Sequence, residues 1–275
     1  MKFKFIFILS NIIILFLSAI FLMNFAPLMA LIPGTGLIIL DILYFSNRRL
    51  FLLMERGDYP ALSGYLEMRV LRRGHYFPPL VRLLADTYLA MADTAGVMNL
   101  ENKAALVKPA LLESNAFVFG TARLLAADNA GAVRFFAARL EPAQAGRHGN
   151  IRGRTRKGPQ AAGRNLPWVR WYYGFSLLLD RQFTPAAEQF RLLAEDSSDI
   201  LIAGLSAYFL GTTLQRNADN GLVYLAAAQQ GRSRVQKAVQ DKTGWLAKAG
   251  KLKHEVHTVI LQKYIEEAGD WLFGG

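Results

Sequence analysis

The chain of 275 residues contains no cysteine. Disulfides and thiolate metal sites are therefore excluded, and the redox compartment stays open. Sustained alternation of apolar and polar residues, the mark of strands, is also missing. Apolar residues instead recur every three or four positions almost throughout, which predicts an all-α protein.

Charge is scarce at the start of the chain. No charged side chain occurs from Phe5 to Leu40, and Asp41 is the only charged residue between Lys4 and Arg48. Residues 5–25 form an apolar run as long as a helix that crosses a bilayer. A cleaved signal peptide is the competing interpretation, although its apolar run is usually only about 7–15 residues.

A second apolar stretch, residues 28–45, is interrupted by Pro33-Gly34-Thr35-Gly36. It could be a second span, a re-entrant piece or an interfacial helix. Basic residues lie before the first stretch, at Lys2 and Lys4, and after the second, at Arg48 and Arg49. Such residues tend to stay on the cytoplasmic side of a membrane, and two spans would place all four there. We therefore expect residues 1–46 to form a two-span anchor in the inner (cytoplasmic) membrane, with the remaining chain in the cytoplasm. With a single span the remaining chain would face the periplasm.

The net charge of +11 indicates an anionic neighbour. Lipid headgroups, nucleic acid and an acidic protein partner all fit, and the predicted anchor favours lipid. The charge is dense in residues 142–166, a Gly-rich segment without acids that we predict to be a disordered linker. Its candidate contacts to anionic lipid are Arg147, Arg152, Arg154, Arg156 and Lys157. A plain solvated loop is the alternative. The absence of interleaved aromatic residues argues against nucleic acid.

Helical runs on both sides of this linker carry a repeated spacing. A glycine is followed 12 residues later by an alanine and 4 residues after that by a phenylalanine. This pattern occurs at Gly120, Ala132 and Phe136 and again at Gly174, Ala186 and Phe190. A glycine on one helix allows close approach of the next, where the alanine faces it and the phenylalanine fills the wedge. This predicts helical-repeat blocks at residues 47–141 and 167–230, followed by basic capping helices at 231–275.

In these positions the chain resembles the tetratricopeptide-repeat superfamily. Arg56-Gly57-Asp58-Tyr59 is similar to a third, degenerate turn of the same kind. The pattern departs from the family where Arg123 and Leu177 replace the first-helix tyrosine and where Ser198 replaces the closing proline. The resemblance covers about residues 45–230 and implies an α-solenoid that binds a protein or peptide on its concave face.

Aromatic residues are concentrated at the start of the second block. Trp168, Trp171 and Tyr172 are the candidate partner groove, and helical core packing is the alternative interpretation. His254 and His257 share a helix face, but their spacing is not that of a zinc protease and no third ligand is near in sequence.

The sequence thus predicts a membrane-anchored, all-α helical-repeat scaffold. It would bind a protein partner in a membrane complex, with no catalytic residue, cofactor, metal or small-molecule substrate. The alternatives are an envelope enzyme with a site between the helices and the membrane, formed by groups such as Asp41, His254 and Glu255, and the same scaffold facing the periplasm.

Overall fold

The computed structural model describes residues 2–23, 27–148, 166–252 and 258–274. All regular secondary structure in these ranges is helical, so the prediction of an all-α fold is confirmed for them. The chain divides into two compact units, Met1–His75 and Tyr76–Gly275. The predicted boundary after residue 46 is wrong, because a helix runs through it from Pro27 to Arg56.

The first unit is built from three helices. Helices α1 (Lys2–Met23) and α2 (Pro27–Arg56) pack along each other, and α2 continues through Pro33 and Gly34 without a break. After a turn, α3 (Tyr59–Glu67) leads directly into a π-helical turn at Met68–Arg72. The Asp58 side chain caps α3 by accepting a hydrogen bond from the Ala61 N–H at 3.1 Å.

The predicted membrane anchor is not supported. Within the residues that the structure covers, no helix combines the length and the apolarity that crossing a bilayer requires. This finding overturns the spans proposed at residues 5–25 and 28–45. It does not test on which side of a membrane, or in which compartment, the chain lies. An apolar run does not by itself distinguish a helix surrounded by lipid from one that packs on another helix, and α1 packs on α2.

In its described residues the second unit consists of successive helices, and short turns join those whose connection the structure describes. They are α4 (Pro78–Ala90), α5 (Thr94–Val107), α6 (Ala110–Ser114), α7 (Ala116–Leu125), α8 (Asn129–His148), α9 (Leu166–Leu179), α10 (Phe183–Asp196), α11 (Ile200–Phe209), α12 (Gly221–Val239), α13 (Lys242–Gly250) and α14 (Thr258–Phe273). A π-helical turn at Leu210–Leu214 extends α11. Helices α7 and α8 pack as one pair, and α9 and α10 as another.

Two predicted boundaries lie inside helices of this unit. Helix α8 runs to His148, so the predicted linker does not begin at residue 142. Helix α12 runs from Gly221 to Val239 and includes residue 231, where the capping region was expected to start. The C-terminal helix α14 packs against α11, with the Tyr264 ring 5.2 Å from that of Phe209.

Four of the helix–helix turns share one backbone pattern. In each, an N–H bonds to the carbonyl five residues earlier, and the residue just before that N–H has positive φ, as in the Schellman motif. The N–H to carbonyl pairs are Asp58 to Leu53, Asp93 to Tyr88, Asp128 to Arg123 and Gln182 to Leu177. The positive-φ residues are Gly57, Ala92, Ala127 and Arg181.

Three of these turns recur at an even period. Asp58, Asp93 and Asp128 stand 35 residues apart, and each carboxylate accepts the N–H of the third residue on. Positions are counted here from the residue whose N–H closes each turn, which is Asp58, Asp93, Asp128 or Gln182. The residues four and eight positions after it are buried in all four hairpins. They are Leu62, Val97, Ala132 and Ala186 at the first position and Leu66, Glu101, Phe136 and Phe190 at the second. The first unit therefore carries the same local motif as the second.

The predicted approach of each phenylalanine to its glycine is present. A Cβ on Gly120 would lie 2.0 Å from Cζ of Phe136, and one on Gly174 would lie 3.4 Å from the Phe190 ring. Ala132 and Ala186 are fully buried. The Phe136 ring rests directly on the α7 backbone, whereas Phe190 leaves slightly more room above α9.

A substitution of Gly120 tests this contact. We expect Gly120→Ala to lower the free energy of unfolding by about 1–3 kcal/mol, because Phe136 has to shift in a packed core. The matched control is Gly64→Ala in α3, where an added Cβ meets nothing within 4 Å. Urea unfolding followed by circular dichroism compares the two. Equal stability of Gly120→Ala and wild type would show that the close approach is not required.

Candidate functional site

The aromatic residues predicted to line a partner groove lie in the core instead. Trp171 and Tyr172 are fully buried, and Trp168 is only 8% exposed. The Trp171 ring stacks on Phe175 at 5.2 Å, and Tyr172 stacks on Phe136 at 5.6 Å. This assignment was wrong, because helix α9 lies between α8 and α10 and turns its aromatic face to them rather than to solvent.

Several other predicted site residues lie where the structure gives no side-chain geometry. Arg147 belongs to α8 by its backbone alone. Arg152, Arg154, Arg156 and Lys157 fall outside the described ranges, as do His254, Glu255 and His257. The lipid-contact prediction for the linker therefore stays a prediction. Among the described side chains no cluster of three or more His, Cys, Asp or Glu is placed to hold a metal.

The first unit contains an open cavity of about 530 Å³ that we call the arginine cleft. Helix α2 forms one wall, and α3 with its π-helical extension forms the other. Its lining residues are Ser46, Arg49, Ala61, Gly64, Tyr65, Met68, Arg69 and Arg73. Three of these eight are arginines and none is acidic, so the cleft favours an anionic ligand.

Tyr65 organises the positive charge in the cleft. The guanidinium carbons of Arg49 and Arg69 lie 5.6 and 5.7 Å from the centre of its ring, within the range of a cation–π contact. Arg69 Nη1 also donates hydrogen bonds to Asn47 Oδ1 at 2.8 Å and to Tyr65 Oη at 3.2 Å. Two arginines from different helices are thus held close to one aromatic ring.

The π-helical turn keeps the cleft residues of α3 aligned. Tyr65, Arg69 and Arg73 are spaced by four, and in an α-helix each such step rotates the side chain by about 40°. The wider turn at Met68–Arg72 holds more residues and opposes this drift. Leu66 and Val70, which lie between them in the sequence, are fully buried on the opposite side. Gly74, with φ of 71°, ends the element.

The three cleft arginines differ from several other arginines of the described residues in their ion pairing. The salt bridges among the described residues use Arg82, Arg123, Arg139 and Arg191, and none of them involves Arg49, Arg69 or Arg73. The nearest acid in sequence to the start of α3, Asp58, is engaged in capping the helix. Among its eight lining residues the cleft therefore has three guanidinium donors and no acid.

Sequence analysis did not identify this site. Arg49 was considered only as a charge flanking an apolar stretch, and Arg69 and Arg73 were not singled out. The local signal was the four-residue spacing of Tyr65, Arg69 and Arg73. Their proximity to Arg49 depends on how α2 and α3 pack, which a linear pattern does not encode.

A buried ion pair in the second unit has a structural role. Glu101 is 8% exposed and occupies the position that Phe136 and Phe190 fill in later hairpins. Arg123 Nη2 donates to both carboxylate oxygens of Glu101 at 3.0 and 2.9 Å, and its Nη1 donates to Asp128 at 3.1 Å. Arg123 is thus held by two carboxylates, and its ion pair allows Glu101 to be buried at a core position.

Asp86 and Tyr208 have the largest pKa shifts among the described groups of the second unit. Burial raises the pKa of Asp86 from 3.8 to about 6, against the opposing effect of Arg82. Burial and a hydrogen bond donated to Glu267 raise the pKa of the Tyr208 hydroxyl to about 12. Asp86 Oδ1 is buried without a hydrogen-bond partner, which agrees with a carboxyl that prefers its neutral form.

The described residues define an all-helical protein of repeated hairpins with a basic cleft in its first unit. The chain is similar to a family described as an uncharacterised Treponema protein, whose model matches residues 155–274, a range that includes all of α9 to α14. It is also similar to an uncharacterized protein of Treponema pallidum (strain Nichols), with 25% identity over 243 residues. That match covers 86% of this chain and 72% of the relative. No solved structure matches.

The raised pKa of Asp86 predicts a pH dependence of stability. A carboxyl with a folded pKa above its unfolded value stabilises the fold fully below about pH 4, and this contribution is lost as the pH rises through about 6. The loss should be on the order of 1–2 kcal/mol, since some solvent reaches the group. Urea unfolding from pH 4 to 8 should show it in wild type and not in Asp86→Asn. Parallel pH profiles of the two proteins would contradict the assignment.

Proposed function

We propose that this chain is a non-catalytic helical scaffold that binds a protein partner, and that the arginine cleft is the surface on which the partner docks. The observation that carries the proposal is the cleft itself. Three arginines, one tyrosine and no acid line an open cavity between packed helices. Arginine and tyrosine are enriched where proteins bind each other.

The form of the cleft favours a macromolecular segment over a small molecule. Small-molecule sites are mostly apolar and enclose the greater part of their ligand. Here Arg49, Met68 and Arg73 are exposed, and the cavity opens along the helices. A peptide segment can lie in such a cleft while the rest of its chain stays outside.

Nucleic acid fits the cleft less well than protein does. Binding of single strands relies on aromatic rings on which successive bases stack. Tyr65 is the single aromatic residue in the lining, and two guanidinium groups already lie within 5.7 Å of the centre of its ring. The positive charge remains available, but the stacking platform does not.

The repeated hairpins support a scaffold role. They recur with a 35-residue step between Asp58, Asp93 and Asp128, close to the roughly 34 residues of tetratricopeptide repeats. The resemblance to that superfamily stays a prediction. Helical arrays of this kind serve as rigid supports for extended binding surfaces.

Site-specific photo-crosslinking tests the proposal in cells that express the full chain. A photoreactive benzoylphenylalanine at Ala61, on the rim of the cleft, should give protein adducts upon irradiation. The adducts should disappear when Arg69→Gln and Arg73→Gln are added, because the docking charge is gone. The matched control places the same group at Ala138, an exposed residue of α8.

Two results would contradict the proposal. One is the absence of protein adducts from residue 61. The other is an adduct from residue 61 that forms equally well without the two arginines. Circular dichroism of each purified variant shows that a lost adduct does not reflect a lost fold.

A further inference from the structure

The positive charge of the arginine cleft calls for more than one negative group on the ligand. Arg49, Arg69 and Arg73 contribute three charges, and no acid lines the cavity. Arg49 lies on α2, whereas Arg69 and Arg73 lie on and just after the π-helical turn. A single carboxylate would leave most of this charge uncompensated.

The cleft arginines are arranged before any ligand arrives. Tyr65 lies within cation–π distance of both Arg49 and Arg69. Asn47 holds Arg69 through a 2.8 Å hydrogen bond to Nη1, which leaves the other N–H groups of the guanidinium for a ligand. Pre-arranged groups lose less conformational freedom when they bind, so each contact contributes more to affinity.

The donors in the cleft fit carboxylates better than phosphate. Phosphate sites in proteins typically use backbone N–H groups at the start of a helix together with its dipole. The start of α3 is already occupied, because Asp58 accepts the N–H of Ala61 and places a negative charge there. What remains are guanidinium groups, whose planar N–H pairs match a carboxylate in bidentate fashion.

We infer that the arginine cleft binds an acidic segment of a partner protein through at least two Asp or Glu carboxylates, held by Arg49, Arg69 and Arg73. This inference rests on the proposed function and specifies the chemistry of the partner. Ser46 adds a hydroxyl to the polar wall, and Met68 with Ala61 supplies apolar contact for the stems of the acidic side chains.

Fluorescence anisotropy with the purified full-length chain tests the inference. The probe is a fluorescein-labelled ten-residue peptide of alternating Glu and Gly, and the comparison peptide carries Gln in place of Glu. The Glu peptide should bind, and the Gln peptide should bind at least about tenfold more weakly. Binding of the Glu peptide should weaken as salt is raised from 50 to 500 mM, because exposed charges are screened.

Matched variants separate the cleft from net charge. Arg69→Gln with Arg73→Gln should lower affinity for the Glu peptide by about tenfold or more. The control, Arg134→Gln with Arg216→Gln, removes two exposed arginines of the second unit and should change affinity by less than about twofold. Equal losses in both double variants would overturn the inference, because they would show attraction by net charge alone.

Competitors distinguish other anions. A phosphoserine peptide or phosphatidylserine vesicles that displace the Glu peptide at lower concentration than unlabelled Glu peptide would overturn the carboxylate assignment in favour of phosphate or lipid. Failure of the Glu peptide to bind, with the residue 61 photo-adducts retained, would overturn the inference and leave the proposed function standing. Loss of those adducts with peptide binding intact would overturn the proposed function, and with it the identification of the ligand as a protein partner, although the cleft would still bind carboxylates.

Discussion

The rest of the fold depends on how closely two successive helices approach each other across a small residue. At the α7–α8 pair the Phe136 ring lies against the backbone of Gly120, where even a methyl group has no room. The same contact joins α9 and α10 through Gly174 and Phe190 with a little more space. Close approach fixes the angle within a pair, and each pair offers a flat apolar face to the next. The aromatic core around Trp171 follows from that stacking.

The turns carry the second constraint, because they fix where each new helix starts. A positive-φ residue ends one helix, and an aspartate at 58, 93 or 128 caps the next. Two of the positive-φ residues are alanines and one is arginine, although glycine adopts this conformation most easily. The surrounding packing therefore overrides the local preference. Glu101 shows the same principle, since its charge is accepted at a core position only because Arg123 reaches it.

The sequence predicted those features that depend on residues close together in the chain. Helical periodicity gave the all-α class, and the repeated glycine, alanine and phenylalanine spacing gave the contacts at Gly120 and Gly174. The degenerate turn at Asp58 was found for the same reason. The turn at Asp93 was missed as a repeat, because Val97 and Glu101 replace the small and aromatic residues that defined the pattern.

Predictions failed where the environment of a residue depends on distant parts of the chain. Apolar runs before residue 46 were interpreted as membrane spans, whereas no described helix meets the requirements of a span. The sequence positions of Trp171 and Tyr172 are compatible with either an exposed binding groove or the buried core. Both side chains lie in the core, because α8 and α10 pack against their helix. The arginine cleft joins Arg49 to Arg69 and Arg73 through packing of α2 on α3 and through a π-helical turn that periodicity does not reveal.

The central claim is that an acidic protein segment docks between α2 and α3. Hydrogen–deuterium exchange of the full chain, with and without the Glu peptide in excess, tests it most directly. The account predicts slower exchange in residues 59–73, which form α3 and the π-helical turn, and unchanged exchange in α9 and α10. Protection that appears only in the second unit, or no protection in residues 59–73 at saturating peptide, would contradict it.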